Sequence, residues 1–246
     1  MNRVACRLLP FAVADGPHNM AADEVLLGAA AAGTTSLRFY GWSAATLSLG
    51  YFQPERVRHR EERLAALPFV RRPTGGDALV HHLELTYALA LPAGAPWHGP
   101  EPWLRRMHRL IAAALAELGV PAELYAPPPR PAPFTGVLCF HHETAGDVIV
   151  GRGKVVGSAQ RRQRGALLQH GAILLAQSPH TPSLPGILEL TGRHLGTEEM
   201  GRAVQRHFVE ATGWELVPGR WDEDERRRIE ELAAGKYGSD DWNRKR

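Results

Sequence analysis

The sequence is poor in cysteine: its 246 residues hold two, Cys6 and Cys139. They stand far apart and outside any CxxC spacing, so neither a disulfide framework nor a thiolate zinc site is available. A chain of this length can bury an adequate core without such staples, and unpaired thiols fit a reducing cytoplasm. Long apolar runs are missing too. No stretch approaches the roughly 18 residues that span a bilayer, and the opening MNRVACRLLPFAVADGPHN is too briefly apolar for a secretory signal. A soluble protein with no membrane partner is expected. Charge of one sign is scarce as well: 29 Lys+Arg against 26 Asp+Glu leave +3, too weak a field to indicate a nucleic-acid partner unless one patch concentrates it. Neither a repeat nor a composition shift marks a boundary, so residues 1–246 read as one domain ending in a short polar helix and tail over 220–246.

What is present is ordinary for a globular chain, with 44% hydrophobic and 22% charged residues. Residues 18–32 read as an Ala- and Leu-rich helix closed by Gly33. SLRFYGW and ATLSLGYF read as two strands forming a hairpin or lying side by side. Leu85, Tyr87, Leu89 and Leu91 alternate with Glu84, Thr86, Ala88 and Ala90, which predicts a strand with one buried face. Pro102, read as the first helical residue, opens a helix with Trp103, Met107, Leu110, Ile111, Leu115 and Leu118 on its apolar side, closed by Gly119. Its Arg105, Arg106 and Arg109 read as a solvated face. YAPPPRPAPF reads as an extended surface connector, and the segment from Asp147 to Ala176 as a three-stranded meander. A helix N-capped by Thr197 and closed by Gly213 follows, then a polar helix and an irregular tail. Helices at both ends with strands clustered between them predict an α+β fold with a mixed, largely antiparallel sheet.

Chemistry concentrates in four places. Arg71, Arg72, Pro73, Thr74, Gly75 and Gly76 read as a tight glycine turn between two strands, where backbone can approach an anion or a carbonyl oxygen. Asp77 beside it is badly placed for a phosphate. In GKVVGSAQ, Lys154 precedes Gly157 and Ser158, with Gln160, Gln169 and His170 nearby in the meander. Gly157 and Gly171 weaken β-favouring runs unless a bulge or a close approach accounts for them, which makes a binding groove plausible. Cys139 in LCFHHE is either a small buried hydrophobe or a thiolate nucleophile; Cys6 reads as core. His81–His82 and His141–His142 suggest a metal, but neighbours on a strand point to opposite faces and no Cys or carboxylate stands at zinc spacing, so no metal is expected.

Taken together, NMAADEVLL, SLRFYGWSAATLSLGYFQ, RRPTGGDALVHHLELTY, GRGKVVGSAQRRQRGALLQHGAILL and KYGSDDWN, in this order, resemble the lipoate and biotin protein ligase superfamily over most of the chain. The resemblance implies a catalytic domain of the class II aminoacyl-tRNA synthetase and biotin synthetase type. ELTY, and CF ahead of GKVVGSAQ, look like the cysteine-dependent octanoyltransferases, which makes Cys139 the nucleophile. Lys154 lies 15 residues further on, the spacing at which that subfamily places the cation that favours the thiolate. The implied reaction carries an octanoyl group from acyl carrier protein through a Cys139 thioester to a lysine of a lipoyl domain or a glycine-cleavage H-type protein, with no cofactor. Arg72, Thr74, Gly75, Gly76, His81, Gly157, Ser158, Ala159, Gln160 and His170 are then expected at the substrate. An ATP- and Mg²⁺-dependent lipoate-protein ligase is the alternative, and a non-catalytic acyl or lipoyl-domain binding protein the second. Asp77, in place of a third glycine, speaks against nucleotide; His82 replaces a common Asp, and His141 and His142 replace expected acidic or aromatic residues. GRGK resembles a biotin-ligase motif, but VVGSAQ after it is lipoate-type. No DNA-binding segment is expected before the domain, and no accessory domain after it.

Overall fold

The structure, a computed structural model, describes residues 4–94, 96–128 and 136–246. Its first half runs β1 (Ala5–Leu8), β2 (Ala12–Ala14), α1 (Gly16–Ala31), β3 (Ser36–Trp42), β4 (Thr46–Leu49), α2 (Glu62–Ala65), β5 (Phe69–Arg71), β6 (Leu79–His81) and β7 (Glu84–Leu91). The second half runs α3 (Trp103–Glu117), β8 (Ala122–Leu124), β9 (Val148–Val150), β10 (Gly153–Gln163), β11 (Ala166–Leu174), α4 (Ile187–Thr191), α5 (Thr197–Thr212), β12 (Glu215–Pro218), α6 (Glu223–Leu232) and α7 (Asp240–Asn243). The main sheet is ordered β12-β1-β3-β7-β11-β10-β9-β8, with β2 beside β3. Pairings from β3 to β8 are antiparallel, while β12, β1 and β2 join in parallel. This is the mixed, largely antiparallel α+β architecture that the strand clusters predict.

The alternation in β7 sets the layering, and both of its faces are buried, not one. Leu85, Tyr87, Leu89 and Leu91 pack with Met107, Leu110 and Ile111 of α3 and Met200, Val204 and Phe208 of α5. Ala88 and Ala90 face the other way, toward Met20, Leu26 and Leu27 of α1 and Ile229 and Leu232 of α6. Small residues on that face let α1 come close to the strands, so its Ala-rich sequence is buried on most sides. Helix ends differ by one residue from expectation: Pro102 caps α3 instead of beginning it, and Gly196, not Thr197, caps α5. Gly33, Gly119 and Gly213 close their helices with φ of +103°, +78° and +68°.

A second, three-stranded sheet, β5-β4-β6, corrects one local reading. β3 and β4 neither form a hairpin nor lie side by side; the Arg71–Gly76 turn lies between two strands as expected, running from β5 to β6 across β4. Leu47 and Leu49 of β4 belong to a separate apolar cluster with Val80, Leu138, Phe140 and Ala172, and that burial decides the pairing. The expected meander is present as β9, β10 and β11. The C-terminal tail is not irregular: a π-turn over Ala233–Tyr237 leads to α7, capped by Ser239. Asn243 is buried and accepts the backbone N–H of Arg71 at 2.8 Å. The expected proline connector falls partly on residues 129–135, outside the described residues. Among the described residues no helix is long and apolar enough to cross a membrane.

Candidate active site

Cys139 opens a 3₁₀ turn, Cys139–His141, and is tied to the glycine turn through its backbone: its N–H donates to the Ala78 carbonyl at 2.8 Å. Lys154 projects from β10 beside a register irregularity between Lys154 and Val156, the kind of bulge that re-aims a side chain. Its Nζ lies 3.5 Å from Cys139 Sγ and donates to the carbonyls of Cys139 at 3.2 Å and His142 at 3.3 Å. Lys154 is 4% exposed, and its ammonium pairs with Asp147 Oδ2 at 2.7 Å. Asp147 in turn accepts from the N–H and hydroxyl of Thr144. Asp147 stands nearer to Nζ than the sulfur does, so it offsets part of the lysine's field at the thiol. Arg72 supplies a second positive charge: burial pulls its guanidinium below the ordinary range, while the charges of Cys139 and Asp77 oppose that.

A small cavity of about 60 Å³ has Cys139 on its wall. Met20, Leu79, Phe140, Ala159 and Ala172 give it apolar walls suited to an aliphatic chain. Gly171 stands between Ser158 of β10 and Tyr87 of β7 in the register. A Cβ there would lie 2.2 Å from Ser158 Oγ and 2.8 Å from a Tyr87 ring carbon. At Gly157 a Cβ would lie 2.9 Å from the Lys154 side chain. These close approaches account for both strand glycines.

Three histidines surround the cavity, each bonded through both ring nitrogens. His170 donates from Nδ1 to Asp23 at 2.7 Å and accepts the Thr74 hydroxyl at Nε2, also 2.7 Å. His81 donates from Nδ1 to Glu84 and meets Ser48 Oγ at Nε2, 2.7 Å, with the Trp42 ring stacked 3.8 Å away. His108, on the buried side of α3, donates from Nδ1 to the Gly146 carbonyl at 2.7 Å and meets Ser158 Oγ at 2.6 Å. Burial holds His81 and His108 below the ordinary imidazole range, so both rings are neutral near pH 7. Asp23 also binds Arg38 and the Tyr40 hydroxyl, which makes a buried network beneath the glycine turn.

Of the residues expected at the substrate, Arg72, Gly76, His81, Cys139, Gly157, Ser158, Ala159 and His170 line the cavity. Thr74 and Gln160 stand one layer out, on His170 and Gln169, and Lys154 stands behind Cys139. Gly75 is likewise off the wall; its carbonyl accepts from Arg72. Four Arg72 N–H groups go to Ser48, Gly75 and Asp77, so it shapes the turn and contributes charge more than it binds. His82 and His141 bond Ser178 and Ser183, away from the cavity wall. Sequence reasoning missed His108 and Asp147; the signal for His108 is a polar residue among Met107, Leu110 and Ile111 on an apolar helix face.

Residues 15–207 match the lipoyl protein ligase A/B catalytic domain family. The octanoyltransferase LipM of Symbiobacterium thermophilum is 35% identical, over 96% of this chain and 97% of its own. That of Kyrpidia tusciae is also 35% identical, with the same coverage. A putative lipoate protein ligase of T. acidophilum with bound lipoic acid superposes with a TM-score of 0.77 at 22% identity, covering 99% of this chain and 100% of that one. A lipoate-protein ligase A bound with ATP gives 0.79 at 22%, covering 98% and 99%. The two structures share the fold, and the closer sequences place the branch: the chain belongs to the lipoyl protein ligase A/B catalytic domain family, among its octanoyltransferases.

Proposed function

We propose that this enzyme transfers an octanoyl group from acyl carrier protein, through a thioester on Cys139, to the lysine of a lipoyl domain or H-type acceptor protein. The observation that carries the proposal is Cys139 on the wall of an apolar cavity with Lys154 Nζ 3.5 Å from its sulfur. The octanoyltransferase relatives support the reaction class. The thiolate attacks the donor thioester carbonyl, the carrier thiol leaves, and the acceptor amine then attacks the acyl-cysteine to form the amide and free the thiolate. The donor is already activated, so the reaction consumes no ATP. Asp77 on the cavity wall also disfavours a nucleotide phosphate there, against the ligase reading. β12 pairing with β1 supports one catalytic domain across residues 1–246. Both cysteines are free, which supports a cytoplasmic setting.

The test is the intact mass of an apo lipoyl domain incubated with the enzyme, given either octanoyl carrier protein alone or octanoate or lipoate with ATP and Mg²⁺. Each arm is repeated with Cys139→Ala. Acylation from the carrier alone, lost in the variant, is expected. Acylation only with ATP, indifferent to Cys139, would make the enzyme a ligase.

A further inference from the structure

The buried histidines offer three similar arrangements of acceptor, imidazole and hydroxyl, and accessibility separates them. Ser48 is 0% exposed and Thr74 1%, and neither lines the cavity. Ser158, on His108, is half-buried and lines the cavity together with Cys139. The direction of its hydrogen bonds follows from groups that can act in one way only. The Gly146 carbonyl can only accept, so Nδ1 of His108 carries the hydrogen and Nε2 of the neutral ring accepts from Ser158. On the other side, Gln160 donates to the Gln169 side-chain carbonyl, and Gln169 donates to the Tyr87 hydroxyl at 2.7 Å. The serine has one hydrogen and gives it to His108, so Tyr87 turns its own hydrogen toward Ser158, at 2.7 Å. Burial pushes the Tyr87 hydroxyl up to about 12, so it remains a donor across the working pH range. Ser158 Oγ then has its hydrogen committed to His108 and one lone pair to Tyr87. The second lone pair is left to accept from a group in the cavity.

We propose that Ser158 receives the proton of the incoming acceptor amine and passes its own to His108 during breakdown of the acyl-cysteine. This rests on the acyl-enzyme reading above and assigns the base of its second half. The amine nitrogen bonds to the acyl carbon, the carbon–sulfur bond breaks, and Cys139 leaves as thiolate. The proton lost by nitrogen goes to Ser158 Oγ while the serine proton goes to His108 Nε2. The resulting imidazolium keeps its bond to the Gly146 carbonyl and gives up the proton by the reverse path after product leaves. The charged groups facing His108 are Asp147, which favours the imidazolium, and Lys154, which opposes it; Tyr87 is the titratable group beyond Ser158. Ser158 is thus a catalytic residue and His108 a positioning residue that acts through it.

The experiment measures both half-reactions in wild type, His108→Asn and Ser158→Ala: acylation of the enzyme by octanoyl carrier protein, then transfer from the isolated acyl-enzyme to apo lipoyl domain. The asparagine Nδ2 can keep the bond to Gly146 while removing the acceptor at Nε2. Transfer in either variant is expected to fall on the order of 100-fold relative to its own acylation rate. The amine's ionisation is common to all three proteins and cancels in the ratio of wild-type to variant transfer rates. That ratio is expected to shrink toward one as acid protonates His108. A pH-independent ratio, or acylation and transfer falling together, would overturn the proposal and reduce His108 to packing. Ser158→Ala carries the same test if His108→Asn does not fold. Absence of any acyl-enzyme in wild type would instead overturn the reading on which the proposal rests.

Discussion

At the scale of single residues, the two cysteines separate by environment. Burial pushes the Cys6 thiol up to about 12, whereas Cys139 is partly exposed beside Lys154 and Arg72. Alkylation of the native enzyme with iodoacetamide, mapped by mass spectrometry, should therefore label Cys139 and spare Cys6. Lys154→Met should slow that labelling about tenfold; an unchanged rate would mean that the lysine does not act on the thiol. Gly171 has a packing reason of its own, because the space its missing side chain leaves holds Ser158 Oγ. Gly171→Ala should cost about 1–3 kcal/mol of stability through overpacking and displace that hydroxyl. Urea denaturation and the transfer rate check the two effects, and wild-type behaviour in both would contradict the close packing described.

At the scale of elements, the C-terminal turn acts as a clasp on β5. The guanidinium of fully buried Arg71 donates to the Asn243 carbonyl and to those of Gly50 and Gln53, and the Trp242 indole donates to the Arg71 carbonyl at 2.9 Å. Asn243→Ala removes the acceptor of a buried N–H and should lower stability by about 1–3 kcal/mol. Chemical denaturation checks this, and an unchanged midpoint would contradict it. The sequence made β7 legible through its alternation and the meander through its turns, because both are local patterns. The strand glycines were legible as points of close approach. Partners outside the local pattern were not: four residues of β4 do not reveal which sheet they join, and nothing around Asn243 points to Arg71, 172 residues away. Cys139 and Lys154 emerged through a resemblance whose spacing the structure matches with a contact. His108 and Asp147 needed the three-dimensional arrangement, since they touch the site through a helix face and a turn.

At the scale of the whole molecule, the buried neutral histidines link folding to pH. His81 and His108 are held below the ordinary value by burial, so below about pH 6.5 the unfolded chain takes up protons that the folded chain refuses. Their contribution is complete above that value and is lost as the pH falls toward their folded values, at up to about 1.4 kcal/mol per pH unit for each. Half-buried His18, raised, and His82, lowered, act in opposite directions. The urea midpoint should therefore drop between about pH 7.5 and pH 5.5; a flat or rising midpoint would contradict the neutral, buried rings. The central claim is that Cys139 carries the acyl group, and trapping that species tests it most directly. The enzyme is incubated with octanoyl carrier protein without acceptor, quenched and mapped. One octanoyl group is predicted on the Cys139 peptide, labile to neutral hydroxylamine and transferred to a lysine amide when apo lipoyl domain is added. An unlabelled Cys139 while the acceptor is still acylated would contradict the account.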